Sequence, residues 1–154
     1  MSAVTLILNH AIIVGIVALD QFCKFLVTSE GHLGDFLRIL SVRPVWNQGI
    51  SFGLFDKLHY SNSLFLVLSS IVIAYLYPFA LKIREYSTLT AWSMIRGGGL
   101  SNLIDRIIYG AVLDFIDIHV GTYFFPVFNI ADAAITLGAI MLLWKALLSI
   151  KKGK

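Results

Sequence analysis

Gly97–Arg106, with the sequence GGGLSNLIDR, opens the stretch that organises this chain, and Phe128–Thr136, with the sequence FNIADAAIT, closes it. The stretch holds four of the nine carboxylates in the protein, Asp105, Asp114, Asp117 and Asp132. The sequence around it is strongly apolar. An acid in or beside an apolar region is costly unless it is paired, protonated or facing water. The chain must therefore build a polar site here, and some of these acids can do chemistry while others hold the structure together.

The composition points to a polytopic membrane protein. The chain has 154 residues, of which 58% are hydrophobic and 14% charged, and its mean hydropathy is +0.83. A soluble domain is about 45–50% apolar and about 25% charged. The net charge of +3 is small and its Lys and Arg residues form no single patch, which argues against nucleic-acid binding.

The sequence gives little support to a metal or cofactor site. Cys23 is the single cysteine, which excludes an internal disulfide and a Cys-rich metal site. There is no Gly-rich phosphate loop, no His-x-x-x-His pair and no Gly-x-Ser-x-Gly elbow. The four histidines are scattered along the chain, which is typical of surface or interfacial positions. We therefore expect no cofactor and no metal.

Hydropathy predicts four transmembrane helices within a single domain, 1–154. They lie at about 4–27, 63–81, 88–108 and 125–150. At about 1.5 Å per residue the first can cross an apolar core of about 30 Å with some to spare. We expect the first to be retained as a membrane helix, because it lacks the basic residues and cleavage site of a signal peptide. The third is the weakest by hydropathy, and its glycines Gly97, Gly98 and Gly99 suit close approach to a neighbouring helix.

Residues 29–60 differ from the predicted spans. They contain glycines, Pro44 and charges of both signs, so we predict a small extracytoplasmic unit of short strands and turns. Four crossings place both termini on one side. The Lys and Arg counts of the two sides are equal, but those on the terminus side lie in very short segments, which favours cytoplasmic termini.

A polar cluster is predicted toward the outer side of the bilayer. Asp20 and Lys24 are spaced i,i+4 and can pair on one helix face. With the topology above they share a depth with residues from the third helix, the loop after it and the start of the fourth. The predicted set is Asp20, Lys24, Asn102, Asp105, Arg106, Asp114, Asn129 and Asp132. Polar side chains that converge from several elements form a candidate site.

The individual acids allow structural explanations as well. Asp132 follows Pro126 by six positions, one to two turns inside the predicted helix, and could be a structural acid paired with Arg106 or Lys24. Asp114 lies in a short apolar run that we predict to be extended, and it could cap a strand end.

Two further acids and one cation also need an explanation. Asp117 admits the same explanation as Asp114, and spacing does not separate the two. Asp105 is adjacent to Arg106 and is most simply its structural partner. Arg96 falls near the middle of the third predicted helix, where the sequence offers no reason for a charge.

Two carboxylates that meet would have a specific chemistry. Acids a few ångström apart share a proton, so one can act as a base and the other as an acid. Such a pair activates a water for attack on a peptide carbonyl and protonates the leaving amine.

Five ordered motifs resemble the lipoprotein signal peptidases, or signal peptidase II. They are DQFCK at Asp20–Lys24, NQGISFG at Asn47–Gly53, GGGLSNLIDR at Gly97–Arg106, GAVLDF at Gly110–Phe115 and FPVFNIAD at Phe125–Asp132. The resemblance implies an aspartic endopeptidase of the bacterial inner membrane. It would remove the signal peptide from prolipoproteins just before a diacylglyceryl-modified cysteine, as a monomer among membrane lipids. The implied fold is an all-α membrane protein, with four transmembrane helices, a small extracytoplasmic β-cradle and a short interfacial helix.

The resemblance also implies residue roles. Asp114 and Asp132 match the catalytic pair, and Asn102, Arg106 and Asn129 match residues that line the site. Support for the site is implied for Asp20, Lys24, Asn47, Gly49 and Asp105. Three residues depart from the usual family pattern, Arg96, Ser101 and Ala133, and none of them is in the implied catalytic pair.

A small membrane transport or assembly protein is the alternative, because intramembrane acids can relay protons or hold helices together. A proton path would spread its acids across the membrane depth. The predicted clustering on one side argues against that alternative.

Overall fold

The structure is a computed structural model that describes residues 3–31, 34–37, 39–48, 66–71, 74–75, 83 and 85–152. Three long helices dominate it: α1 (Ala3–Glu30), α2 (Tyr86–Tyr109) and α3 (Ile130–Lys152). Residues 66–71 and 74–75, within the predicted second span, are also helical. The rest of that span lies outside the described residues, as do Gly49 and the part of the 29–60 unit from 49 onward. The interfacial helix expected within 29–60 is not among the elements of the described residues and stays a prediction.

Two of the described helices are long and apolar enough to cross a membrane, Val4–Glu30 and Ile130–Lys151. The helix α2 is of similar length but contains Arg96, Asp105 and Arg106, which lower its hydropathy. Four membrane crossings therefore stay a prediction. Two of the four predicted spans correspond to described helices of suitable length and composition.

The start of α3 differs from the prediction. The helix begins at Ile130 rather than near Phe125, and Pro126 lies in an irregular segment before it. The cause is a non-local contact: Phe128 pairs with Ile116 of the neighbouring strand, its N–H donating to the Ile116 carbonyl at 3.1 Å. Asp132 is consequently in the first turn of α3, not one to two turns inside it.

The strands form a small antiparallel sheet on one end of the helices. β1 (Gly34–Leu37), β2 (Leu40–Asn47) and β3 (Val112–Val120) pair in that order, and the two-residue β4 (Tyr123–Phe124) continues from β3. Ser29 and Glu30 are the last residues of α1, whereas from Gly34 to Asn47 the described part of the 29–60 unit is made of strands and turns, as predicted. The sheet is not confined to it, however, because β3 and β4 come from the segment between α2 and α3.

The register of β2 on β3 brings two predicted site residues to the same end of the sheet. Val45 lies opposite Asp114, and Asn47 lies opposite Val112. The pairing shifts between Val42 and Val45, across Pro44, which has no N–H to contribute to a ladder. The prediction that Asp114 lies in extended chain is confirmed.

Small residues let α2 pack closely against both other helices, as its glycines predicted. A Cβ on Gly98 would clash with the Ala131 carbonyl oxygen and would lie 2.8 Å from Ile135 Cγ1. On α3, a Cβ on Gly138 would lie 2.6 Å from the Ala91 carbonyl oxygen. The close contact between α2 and α3 brings Asn102 to the first turn of α3, where Asp132 is located.

Candidate active site

The polar residues predicted to converge do lie together, where α1, α2, β3 and the start of α3 meet. Several of them are buried although they are charged or polar: Asp20, Lys24, Asn102, Asp105, Asp114 and Asn129. Asp132 is half-buried beside them. Buried polar groups need hydrogen-bond partners within the protein. Each of these side chains has at least one such partner in the cluster.

Asn129 and Asp132 form a reciprocal cap at the start of α3. The Asp132 N–H donates to Asn129 Oδ1 at 2.8 Å, and the Asn129 N–H donates to Asp132 Oδ2 at 3.3 Å. This is the capping-box arrangement with an aspartate at the third helical position. It fixes the Asp132 carboxylate next to the helix N-terminus, which favours negative charge.

Asp114 lies on β3, positioned by the way α2 ends. Gly110 takes a left-handed conformation (φ 73°), and its N–H donates to the Arg106 carbonyl at 3.2 Å. Glycine adopts that conformation without steric cost, so the chain turns sharply from α2 into β3. The Asp114 carboxylate then accepts hydrogen bonds from Asn129 Nδ2 at 2.8 Å and from Asn47 Nδ2 at 2.9 Å.

Burial makes Asp114 an unusually weak acid. Removal of the carboxyl group from water raises its pKa to about 6, and the nearby charge of Asp132 also raises it. The hydrogen bonds from Asn47 and Asn129, and the charge of Lys24, oppose the rise. A carboxyl group with such a pKa can hold a proton near neutral pH, which a solvent-exposed aspartate does not do.

Asn129 links the two carboxylates directly. Its amide donates to Asp114, while its backbone N–H and its side-chain oxygen contact Asp132. Asn102 reinforces the link, since its Nδ2 donates to Asp132 Oδ1 at 2.8 Å and its Oδ1 accepts from Asn129 Nδ2 at 3.1 Å. Arg106 donates weakly to the Asn102 carbonyl at 3.4 Å, and its charge acts on both acids.

A buried lysine holds two further acids. Lys24 Nζ lies 2.6 Å from Asp20 Oδ2 and 2.7 Å from Asp105 Oδ2, and it donates to Asn102 Oδ1 at 3.2 Å. The predicted i,i+4 pair of Asp20 and Lys24 is confirmed. Asp105 forms its ion pair with Lys24 and not with its sequence neighbour Arg106, which is the partner that the sequence suggested.

Asp20 and Asp105 also accept hydrogen bonds from the backbone next to Asp132 and Asp114. Asp105 Oδ2 accepts from the Leu113 N–H at 3.1 Å, and Asp20 Oδ1 accepts from the Ala131 N–H at 3.0 Å. Leu113 and Ala131 are the residues directly before Asp114 and Asp132. The Lys24 cluster therefore fixes the backbone from which both candidate carboxylates project.

Asp117 is separated from this network. It is buried, and its Oδ2 accepts from Arg43 Nε at 2.7 Å. Three positions along a strand place Asp114 and Asp117 on opposite faces of the sheet. The strand geometry thus distinguishes two acids that spacing alone left equivalent.

Arg96 has a partner that the sequence did not reveal. It is buried on α2, and its Nη2 donates to Asn9 Oδ1 on α1 at 2.6 Å. Ser93 donates to the same oxygen. The sequence did contain a signal of this contact, because Asn9 is a polar residue within the first apolar run.

Gln21 is a second residue that sequence reasoning missed. Its Nε2 donates to Asp105 Oδ1 at 2.7 Å and to Ser101 Oγ at 3.1 Å. Ser101, one of the departures from the family pattern, also donates to Asp20 at 2.7 Å. Among the described residues, no group of three or more His, Cys, Asp or Glu side chains is arranged to hold a metal ion.

Comparison with known proteins decides the family. The family model described as signal peptidase (SPase) II matches residues 12–148. The chain belongs to the signal peptidase II family. The lipoprotein signal peptidase of Anaplasma phagocytophilum is 42% identical over 132 residues, which cover 83% of this chain and 84% of that protein. The lipoprotein signal peptidase of Rickettsia prowazekii is 41% identical over 141 residues, which cover 88% of this chain and 73% of that protein.

Solved structures of bacterial membrane enzymes share the fold of this chain. One bacterial membrane enzyme matches with a TM-score of 0.83 and 29% identity, over 95% of this chain and 91% of that chain. A second structure of a bacterial membrane enzyme matches with a TM-score of 0.80 and 29% identity, over 90% of this chain and 92% of that chain. Together with the two apolar helices, these neighbours indicate an integral membrane protein. The resemblance of the five sequence motifs to signal peptidase II is confirmed.

Proposed function

We propose that this member of the signal peptidase II family removes signal peptides from prolipoproteins with Asp114 and Asp132 as its catalytic pair. The relatives named above are lipoprotein signal peptidases, which supports the substrate class. The observation that carries the residue assignment is the double contact of Asn129. One side chain and its own backbone N–H bind both carboxylates, whereas Asp20, Asp105 and Asp117 are engaged in ion pairs.

The two carboxylates are proposed to differ in charge. Asp132 holds the negative charge, because it lies in the first turn of α3, where an anion is favoured by about 0.3–1 kcal/mol, and because Asn102 and Asn129 donate to it. When the pair carries one proton, Asp114 holds it, since burial raises its pKa to about 6. Different environments that separate the acidities of two carboxyl groups are how such pairs divide the acid and base roles.

Peptide cleavage then follows as a balanced exchange of protons. Asp132 takes a proton from a water molecule, whose oxygen attacks the scissile carbonyl carbon, while Asp114 gives its proton to the carbonyl oxygen. The tetrahedral product collapses when Asp132 protonates the leaving nitrogen and Asp114 recovers a proton from a hydroxyl of the intermediate. The C–N bond breaks, the signal peptide leaves as a carboxylic acid, and both side chains regain their starting states.

The other predicted site residues are proposed to position this pair. Asp20, Lys24 and Asp105 fix the backbone before Asp132 and Asp114, and Asn47 holds Asp114 from β2. Arg106 supplies a positive charge that acts on both carboxylates. Gly49 is proposed to help hold the substrate in the outer loop.

The finer substrate and membrane assignments are also proposals. We propose cleavage just before a diacylglyceryl-modified cysteine, whose lipid stays in the bilayer while the adjacent peptide bond reaches the site. The single domain, 1–154, would cross the bacterial inner membrane four times as a monomer, with cytoplasmic termini and the site near the outer face. The two apolar helices support a membrane location, and the very short segments that carry the terminus-side Lys and Arg favour cytoplasmic termini.

The test uses purified protein and a precursor that carries the diacylglyceryl group. Asp114→Asn and Asp132→Asn should each abolish cleavage without loss of folding, and Asp117→Asn is the matched control that should retain it. Substantial activity in either of the first two variants would refute the assignment. A precursor with serine in place of the lipidated cysteine should not be processed, and its normal cleavage would argue for a peptidase without lipid selectivity.

A further inference from the structure

An exposed apolar rim lies at the far end of the sheet. It consists of Ile39 from the β1–β2 turn and four residues around the β3–β4 turn: Val120, Tyr123, Phe124 and Phe125. Their exposed fractions are 48%, 56%, 80%, 71% and 64%. We call these five residues the aromatic rim. Single exposed apolar side chains are ordinary, but five at one end of a sheet, three of them successive aromatics, mark an interaction surface.

The backbone of the rim is held by regular hydrogen bonds. Val120 pairs with Tyr123 across a turn in which Gly121 takes a left-handed conformation (φ 61°). The His119 N–H donates to the Ile39 carbonyl at 3.0 Å, which joins the two turns into one surface. The aromatic side chains are therefore presented by ordered strands.

The charge pattern indicates what the rim contacts. Residues 118–131 contain no Asp, Glu, Lys or Arg, although they include the β3–β4 turn and the approach to a helix. Turns that face water are usually rich in polar residues. Tyrosine beside phenylalanine, with an apolar ring and a polar tip, is the composition found where proteins meet the headgroup region of a bilayer.

The rim is also continuous with the lipid-facing part of the chain. Phe125 is five residues before Ile130, the first residue of α3, so extended chain could separate them by at most about 17 Å. Further along α3, Leu137 and Ile140 are exposed, at 54% and 55%, on a helix able to cross a membrane. The rim therefore lies within reach of the level at which α3 enters the bilayer.

We propose that the aromatic rim inserts into the boundary between headgroups and acyl chains of the outer leaflet. This inference rests on the proposed membrane placement of the chain. Asp114 is on the same strand as Val120, six residues away, at about 3.3 Å per residue. Insertion of the rim would thus set the depth of the Asp114 carboxylate relative to the lipid. The rim would act as a positioning element for a substrate bond that lies at the membrane surface.

Fluorophore quenching in nanodiscs of phosphatidylethanolamine and phosphatidylglycerol tests the location. In a Cys23→Ser background, single labels are placed at Tyr123→Cys, Ile140→Cys and Gln48→Cys. The rim label should be quenched by a lipid with a nitroxide at the top of its acyl chain. The Ile140 label should be quenched by a nitroxide near the chain end, and the Gln48 label by aqueous iodide.

Two outcomes would overturn the proposal and are distinguishable. If the Tyr123 label responds to iodide and not to lipid while the Ile140 label is quenched by lipid, the rim lies in water and the membrane placement stands. If neither label is quenched by lipid, the membrane placement fails and the rim proposal fails with it.

A pair of substitutions tests the consequence for activity. Tyr123→Glu should lower the cleavage rate of a lipidated precursor in nanodiscs and leave its rate in detergent micelles unchanged. Tyr123→Trp, which keeps an interfacial aromatic side chain, should retain both rates. Equal rates for Tyr123→Glu and the unsubstituted protein in nanodiscs would contradict a positioning role, as would an equal loss in both media.

Discussion

Asn129 has two separable roles, as the cap of α3 and as a donor to Asp114, and Asn129→Ser divides them. Serine caps helices about as well as asparagine, so its oxygen should still accept from the Asp132 N–H, now bonded at 2.8 Å. Serine cannot replace the amide group that donates to Asp114 at 2.8 Å and to Asn102 at 3.1 Å. The variant should therefore stay folded and lose activity.

The expected magnitudes follow from the bonds removed. Loss of a buried hydrogen bond to an acidic group costs about 1–3 kcal/mol, which corresponds to about a 5- to 150-fold decrease in kcat/KM if the bond holds Asp114 in its reactive position. Asn129→Ser should lose stability through the missing amide hydrogen bonds, and Asn129→Ala, which also removes the cap, should lose about 0.5–2 kcal/mol more.

The assay combines cleavage of a lipidated precursor in detergent with the thermal midpoint of each variant. Asn129→Ser with unchanged kcat/KM would refute the positioning role of the amide. Equal loss of stability in Asn129→Ser and Asn129→Ala would refute the capping role.

Three other substitutions probe the surroundings. Lys24→Met should destabilise the fold by about 3–5 kcal/mol in denaturant titration, and adding Asp105→Asn should restore part of that loss; no restoration would contradict the ion-pair account. Asn47→Leu removes a hydrogen bond that lowers the pKa of Asp114, so the alkaline limb of kcat/KM should move to higher pH and not lower. Gly98→Val should cost about 1–3 kcal/mol in thermal unfolding through overpacking, and a neutral effect would contradict the close helix contact.

The local part of the site could be predicted from the sequence, because it depends on spacing along one element. The i,i+4 pair of Asp20 and Lys24 follows from helix geometry, and the extended run around Asp114 follows from its composition. The meeting of Asp114 with Asp132 depends on contacts between elements, chiefly those of Asn129 and the pairing of Phe128 with Ile116. Spacing alone therefore left Asp114 and Asp117 equivalent, and the motif resemblance separated them.

The errors have the same physical origin. Pro126 favours a first helical turn, so the sequence predicts a helix start near Phe125, but strand pairing of Phe128 delays the helix to Ile130. Adjacency predicts Arg106 as the partner of Asp105, and the Arg106 charge does act on Asp105, but the ion pair of Asp105 is with Lys24 of α1. The charge of Arg96 had no explanation until α1 brought Asn9 to it. In each case the deciding partner is distant in sequence.

The measurement that tests the catalytic pair most directly is a double-mutant comparison of single-turnover cleavage. It uses Asp114→Asn, Asp132→Asn and the variant with both substitutions. Groups that act as one unit are strongly non-additive, so each single substitution should reduce the rate to the same residual level as the double substitution. Losses that multiply in the double variant, or a single variant that still cleaves at a substantial rate, would contradict a shared catalytic role for Asp114 and Asp132.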